Sequence, residues 1–231
     1  MSPESSNERD GAPGDEFRDR LRQLKARGSV VLVVGEVPSH VCVSACERLL
    51  GEARTVPRHR LLVFTNGRGT VESRLHAHDP GTLGETEAIT AAVTRSARPD
   101  TPASSPVPVR EFDPSSLAEL GGVISGWIEE TEVQHGPLAA GELRLCLDSL
   151  LPLLDEYGKR AVFEFTLLTA ARVRAVTGMG HFHLPARRDS EVVQLLAPAT
   201  DAMIELRLGA DGPQQRWLLD GGDIQSPWLS L

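Results

Sequence analysis

The segment SVVLVVG, residues 29–35, constrains the fold of this chain more than any other. It is a continuous β-branched run, and a strand of this composition is typical of the centre of a sheet that is covered on both faces. A turn at Gly35 follows, and then apolar residues at helical spacing from 40 to 51. Strand, glycine turn and helix in this order are the local pattern of a phosphate-binding loop.

The same alternation of strand and helix continues along the chain. Strands are predicted from residue 60, near 106–112 and at 143–148, and helices at 40–51, at 114–130 and after Asp148, where Tyr157-Gly158 predicts a break. This alternation predicts a parallel sheet of right-handed βαβ units. Past residue 178 the segments GHFHLP, DAMIELRL and QQRWLLD predict short strands, the last two as an antiparallel hairpin. The expected fold class is therefore α/β, a mostly parallel sheet flanked by helices with a C-terminal antiparallel hairpin.

The length and the local composition favour one domain with a tail. At 231 residues and 40% hydrophobic, the chain can bury one sizeable core. Residues 1–14 hold too few apolar side chains to offset the entropy of ordering, so we expect a disordered tail there and a single domain from 15 to 231. Within that domain, Phe17, Leu21 and Leu24 predict a helix that ends at Gly28, and SEVVQLLAPAT predicts a short helix capped by Asp189 or Ser190.

Charge and cysteine usage exclude several classes of function. The formal net charge is −8 and only Lys25 and Lys159 are lysines, which argues against a broad nucleic-acid surface and indicates a high-salt cytoplasm or a GC-rich genome. No apolar run is long enough for a membrane span and no signal peptide is recognisable, so we expect a soluble, cytoplasmic protein. The three cysteines form no CxxC pair and are interpreted as apolar fillers rather than ligands of a structural zinc.

The Gly35 turn departs from a working phosphate loop at each residue that would hold phosphate. The pattern G-x-x-x-x-G-K-[ST] laid from Gly35 puts His40 at the second glycine, Val41 at the lysine and Cys42 at the hydroxyl ligand of magnesium. A valine offers no charge to a nucleoside triphosphate, and charge-assisted contacts typically contribute about 1.5–3 kcal/mol each. We therefore expect a degenerate nucleotide site at most, with Gly35, Ser39 and His40 as its candidate residues and no bound cofactor.

A family resemblance rests on the order of elements and on three short motifs. The strand, turn and helix at 30–50, the strand LRLCLD with the following SL, and GHFHLP before a terminal hairpin resemble the RecA-like ATPase core. Within that core, residues 28–231 are similar to the KaiC-like branch, and to its haloarchaeal, transducer-like members of unassigned function. The resemblance implies that Asp148 is the Walker B aspartate that holds magnesium through water. The alternative from the residues themselves is that Asp148 or Ser149 caps the next helix.

The resemblance also implies a carboxylate that activates water just after the second core strand. Here VFTNGRGTVES predicts a turn at Asn66-Gly67, and Glu72 lies too far along to match. The loop with Arg187 and Arg188 would, by the same resemblance, face a neighbouring subunit or a substrate, whereas the residues alone favour a solvated loop.

Two histidine pairs are weak candidates for metal ligation. His181 and His183 alternate in GHFHLP and so share one face of a strand, but no third ligand is identifiable. LHAHD, with His76, His78 and Asp79, offers a similar cluster in a loop. Cys42 and Cys46 lie one helical turn apart, and we interpret both as packing against the sheet.

Three hypotheses on function follow. The first is a catalytically degenerate RecA/KaiC-like regulatory or signalling protein, not an active ATPase, that acts through a protein partner or a homo-oligomer. The second is a nucleotide-dependent switch or weak ATPase that uses Asp148 without a P-loop lysine. The third is an assembly subunit of a RecA-like ring.

Overall fold

A large, mostly parallel sheet with helices on both faces organises the computed structural model. The structure describes residues 13–51, 57–65, 84–91, 93 and 107–231. The strands of these residues are β1 Ser29–Val34, β2 His59–Phe64, β3 Thr86–Ala91, β4 Val109–Phe112, β5 Leu143–Asp148, β6 Met179–Leu184, β7 Ala202–Gly209, β8 Gly212–Leu219, β9 Ile224–Gln225 and β10 Leu229–Ser230. The helices are α1 Pro13–Arg27, α2 Ser39–Leu50, α3 Leu117–His135, α4 Leu151–Ala175 and α5 Glu191–Leu196, with 3-10 turns at Ala197–Ala199 and Asp220–Gly222.

The sheet has the predicted mixture of parallel and antiparallel pairs. Its order is β10-β8-β7-β1-β6-β5-β2-β3-β4, with β9 beside β8. Every pair from β7 to β4 is parallel, and β8 pairs antiparallel with β7, β9 and β10. The prediction of a mostly parallel α/β sheet with a C-terminal antiparallel hairpin is confirmed. The central position of β1 follows from its sequence, since all six of its residues are buried.

Side-chain alternation divides the core into two layers. Val30, Leu32 and Val34 of β1 pack with the apolar faces of α3, α4 and α5. Val31 and Val33 point the other way and pack under α1 and α2. The second layer is thinner, and all the candidate nucleotide and metal residues of the central strands lie on it.

Several boundaries differ from the prediction. Helix α1 begins at Pro13, two residues before the predicted start of the domain at 15, and residues 1–12 lie outside the described residues. The strand β3 was not predicted. Helix α3 begins at Leu117 and not at 114, because Ser116 caps it by accepting the N–H of Glu119. It runs to His135, past the predicted end at 130.

Two finer predictions concern α4 and α5. Gly158 has φ 79° inside α4, which confirms the predicted break at Tyr157-Gly158. Ser190 occupies the N-cap position of α5, but its side chain makes no capping hydrogen bond. Among the described residues no helix is long and apolar enough to cross a membrane.

Candidate functional site

The Gly35 turn is shaped by its contacts with β7 and with the loop after β6. Gly35 has φ 134°, and a Cβ there would lie 2.5 Å from the carbonyl oxygen of Leu206. Its own N–H donates to the carbonyl of Ala186 at 3.0 Å. The glycine is thus required by the packing of the chain on itself, and the N–H that a phosphate loop would offer to an anion already has an acceptor.

The first turn of α2 offers little else to a phosphate. Pro38 holds the N-cap position and has no N–H to donate. Ser39 and His40 are exposed, as a ligand-facing pair would be, but Val41, at the position of the lysine, is completely buried. Ser39 and His40 therefore face solvent at the start of α2, whereas Val41, at the position of the lysine, faces the core.

Asp148 ends β5 at the carboxyl edge of the sheet, as the Walker B interpretation expects. Helix α4 begins at Leu151, and the hydroxyl of Ser149 accepts its N–H at 3.3 Å, so Ser149 contacts the helix terminus. The Asp148–Ser149 peptide bond is cis. The buried Thr65, just after β2, donates its N–H to the carbonyl of Asp148 at 2.8 Å, and its hydroxyl accepts the N–H of Ser149 at 2.9 Å.

Asp148 and the Gly35 turn, the two parts of the predicted nucleotide site, belong to strands that are not neighbours in the sheet. Asp148 pairs in register with His183 of β6, and His183 pairs with Val33 of β1. A whole strand therefore lies between Asp148 and the strand that leads into the Gly35 turn. All these residues lie near the same edge of the sheet, with His183 of β6 between Asp148 and β1.

A buried cluster of two cysteines and two histidines lies directly beneath α2. Cys46 of α2, Cys146 of β5, and His181 and His183 of β6 each offer a ligand atom, and these four atoms lie within 4.8 Å of one another. The sulfur of Cys46 is 3.3 Å from the sulfur of Cys146 and 3.3 Å from Nε2 of His181. Among the described residues, this is the one group of four buried ligand-type side chains.

The surroundings of this cluster are apolar. Its residues are at most 3% exposed and pack among Val31, Leu62 and Phe64 on the α2 side of the sheet. The expectation that His181 and His183 lack further ligands is wrong, because β5 and α2 each bring a cysteine to them. The interpretation of Cys46 as an apolar filler agrees with its burial, but it did not foresee the other three side chains of the cluster. No spacing rule could reveal the cluster, since its members come from three elements far apart in sequence.

Two arginines, the buried Arg60 and the half-buried Arg144, fix the other end of α2. Arg60 and Arg144 face each other across β2 and β5, and they donate to the carbonyls of Gly51 at 2.7 Å and of Leu49 at 3.1 Å. Burial, with the nearby charges of Arg58 and Arg60, lowers the pKa of Arg144 to about 10. Cations at a helix C-terminus complement the helix dipole, so these side chains hold α2 against the sheet. The sequence analysis did not single them out.

The remaining predicted residues form internal pairs or lie outside the described part of the chain. Arg187 makes a two-pronged contact with Asp189, at 3.0 and 2.8 Å, and Arg188 lies 3.9 Å from Glu205. Both arginines are partly exposed, in agreement with the solvated-loop interpretation. The LHAHD cluster with His76, the turn at Asn66-Gly67 and Glu72 lie outside the described residues.

An apolar groove runs between α3 and α4 on the opposite face of the sheet. Its volume is about 480 Å³, and Leu117, Gly121 and Ile124 of α3 face Phe165 and Leu168 of α4 across it. Leu168 is 71% exposed, which is unusual for a large apolar side chain beside a cavity. Glu164 and Arg172 also line the groove and add opposite charges to it. The sequence analysis did not predict this groove.

Comparison with known proteins identifies a family but not an activity. Residues 28–206 match the family of unknown function DUF7504. The chain belongs to this family. No curated protein matches it. Among solved structures, the fold is similar to that of the uncharacterized protein PH0321 from Pyrococcus horikoshii, which was crystallised in complex with an unknown peptide. The TM-score is 0.54 at 11% identity, over 94% of this chain and 98% of that one, so the likeness concerns the fold.

Proposed function

We propose that this member of the DUF7504 family is a RecA/KaiC-like domain that regulates a partner by binding a peptide segment in the groove between α3 and α4. The exposed apolar wall of that groove carries the proposal. Leu168 leaves 71% of its surface in water although a cavity lies beside it. Apolar side chains in such a position gain from burial by about 25 cal/mol per Å², so an apolar partner segment would stabilise this face.

The shape of the groove suits a short segment better than a large flat surface. Two helix faces form its walls, and Gly121 leaves room above the ring of Phe165, whose atoms are 3.8 Å from where a Cβ would lie. The groove, with a volume of about 480 Å³, can take an apolar side chain of the partner. Glu164, paired with Arg160, and Arg172, paired with Glu132, put opposite charges beside it. This is the helix-in-groove type of recognition, in which apolar anchors give affinity and flanking polar groups give orientation. The peptide in the PH0321 crystal supports a role of this kind, as a property of that protein.

The geometry of the Gly35 turn supports binding without ATP turnover. The N–H of Gly35 is already bonded, Pro38 has none, and Val41 is buried where a phosphate-binding lysine would be needed. The order of the parallel strands and the position of Asp148 at the end of β5 support kinship with the RecA/KaiC-like ATPases. That same aspartate is the observation in favour of the alternative, a nucleotide-dependent switch.

The test uses a displayed library of random peptides selected against the whole chain, followed by fluorescence anisotropy with the selected peptides. The variant Leu168→Asp puts a charge on the groove wall, and Leu208→Asp, at a leucine of β7 that is 54% exposed, is the matched control. We expect Leu168→Asp to weaken binding at least about tenfold, equivalent to about 1.4 kcal/mol, and the control to leave it unchanged.

Two outcomes would contradict the proposal. Selected peptides that bind both variants equally well would move the binding surface elsewhere on the chain. Calorimetric binding of Mg·ATP at micromolar strength, lost in Asp148→Asn, would instead establish the nucleotide-dependent switch. If the chain forms oligomers that Leu168→Asp dissociates in sedimentation experiments, the occupant of the groove is a second copy of the chain.

A further inference from the structure

We propose that Cys46, Cys146, His181 and His183 form a binding site for one tetrahedral Zn²⁺ ion beneath α2. Two thiolates and two imidazoles are a common ligand set of structural zinc. The four ligand atoms converge within 4.8 Å, although their residues come from α2, β5 and β6. The site is independent of the groove between α3 and α4, which lies on the other face of the sheet.

The spacing of the ligand atoms fits a single ion. In a tetrahedron with Zn–S near 2.3 Å and Zn–N near 2.0 Å, neighbouring ligand atoms lie roughly 3.5–3.8 Å apart. The two separations next to Cys46, to the sulfur of Cys146 and to Nε2 of His181, are both 3.3 Å. An outward movement of a few tenths of an ångström would therefore accommodate the ion. Because all four atoms lie so close together, the site has room for one ion rather than for an iron–sulfur cluster.

Burial gives a second reason. His181 is 3% and His183 is 2% exposed, and the apolar side chains of their layer are mostly those of valine, leucine, alanine and phenylalanine. Burying imidazole and thiol groups costs more than burying aliphatic side chains of similar size, unless specific bonds compensate. Metal coordination supplies such bonds to all four groups at once, and soft thiolate ligands select zinc over magnesium or calcium.

With four protein ligands the coordination sphere is closed, so the ion would have a structural role. It would join α2 to β5 and β6 close to the middle of the helix, between the exposed N-terminal turn and the arginines at the C-terminal end. Asp148 pairs in register with His183 and shares its face of the sheet. A carboxylate in that position is suited to orient a ligating imidazole from outside the coordination sphere.

The first measurement is the metal content of the whole chain, purified without added metal and analysed by inductively coupled plasma mass spectrometry. We expect about one zinc per chain. The chelated chain, titrated with Co²⁺ alone, should develop the visible absorption bands of tetrahedral cobalt with thiolate ligands. Cys146→Ala and His183→Gln should each reduce the metal content at least about tenfold. Cys42→Ala, one turn away on the same helix and outside the cluster, should keep it.

Folding of the variants is checked by circular dichroism, and the Co²⁺ titration of the wild-type chain gives a result that does not depend on any variant. A wild-type chain that binds neither zinc nor tetrahedral cobalt would overturn the proposal. Metal content that is unchanged in a folded Cys46→Ala/Cys146→Ala double variant would also overturn it. The third contrary outcome is a disulfide between Cys46 and Cys146 in the chain as purified, since it would identify the pair as redox-active instead.

Discussion

Asp201 joins three elements at the point where β7 begins, and its replacement by alanine should be among the costlier single changes in this chain. Its carboxylate accepts the N–H of Val30 at 2.9 Å and a guanidinium N–H of Arg174 at 2.9 Å. Its own N–H donates to the carbonyl of Val30 at 2.8 Å. The aspartate side chain thus bonds the backbone of β1 just before the hydrogen-bond ladder between β1 and β7 begins. It also ties the C-terminal end of α4 to this part of β1.

The loss of unfolding free energy that we expect for Asp201→Ala follows from these contacts. Val30 is completely buried, so its N–H would have no acceptor in Asp201→Ala, which costs about 1–3 kcal/mol. The bond to Arg174 is charge-assisted, but that side chain is 29% exposed and regains water, so the lower end of the usual range applies, about 1.5 kcal/mol. Together the free energy of unfolding should fall by about 3 kcal/mol, which for a domain of this size lowers Tm by about 6–12 °C.

Chemical denaturation of three variants separates the two contributions. Asp201→Asn keeps an oxygen for the N–H of Val30 and loses the ionic part, so it should cost about half as much as Asp201→Ala. Asp155→Ala removes an exposed carboxylate from α4 and should change stability by less than about 0.5 kcal/mol. If Asp201→Ala costs no more than Asp155→Ala, the assignment of a structural role to Asp201 is wrong. Equal losses in the alanine and asparagine variants would place the whole effect on the ion pair.

Three further predictions concern a glycine inside α3, two buried threonines and a buried histidine. Gly122 lies inside α3 with nothing near its missing Cβ, so Gly122→Ala should raise the free energy of unfolding by about 0.5–1 kcal/mol in urea titrations. Thr65→Val removes the hydrogen bonds to the backbone of Ser149 and should lower the free energy of unfolding by about 1–3 kcal/mol. Thr90 has a buried hydroxyl without a hydrogen-bond partner in the described structure, so Thr90→Val should be neutral or stabilising. Burial, followed by the charge of the neighbouring His135, lowers the pKa of His59. The unfolded chain therefore binds a proton at a higher pH than the folded chain does. The free energy of unfolding should decline as the pH falls through about 6.5.

Each of these predictions has a result that would count against it. A loss of stability in Gly122→Ala would mean that α3 has a close neighbour at this position. Similar effects of the two threonine changes would show that the hydroxyl of Thr65 contributes nothing specific. For His59, the replacement by phenylalanine should flatten the decline of Tm between about pH 7 and 5, and an unchanged pH profile would assign it to other groups.

The fold was predictable because it depends on local patterns that the sequence displays directly. The β-branched run of β1, the apolar strand that ends at Asp148 and the turn between β7 and β8 each carry their own signal. The strand β3 was missed because TEAITA has polar residues among its few apolar ones, and the sequence before it shows no clear helical or strand period. The end of α3 was missed because polar residues fill its last turn, up to Gly136.

The candidate sites were less predictable than the fold, because most of their contacts depend on strand register and helix packing. The departure of the Gly35 turn from the phosphate-loop pattern could be seen in the sequence itself, since Val41 stands at the position of the lysine. The convergence of Cys146 with His181 depends instead on the register between β5 and β6, which no sequence period specifies. The groove depends on how two helices pack, and Leu168 looks like any other leucine of an amphipathic helix until its exposure is known.

The anchoring of α2 by Arg60 and Arg144 limits which basic residue the chain can use at position 144. The scarcity of lysine suggests a genome-wide or salt-related preference when the sequence is considered alone. At position 144, however, a guanidinium keeps its proton with a pKa of about 10, whereas an ammonium, which has a lower starting pKa, would lose its proton at a lower pH for the same burial. A lysine would also lose one of the two carbonyls that Arg144 now reaches, those of Leu49 and Gly141. Relatives with ordinary lysine content should therefore still carry arginine here, and a lysine at this position would make the anchoring of α2 depend on pH.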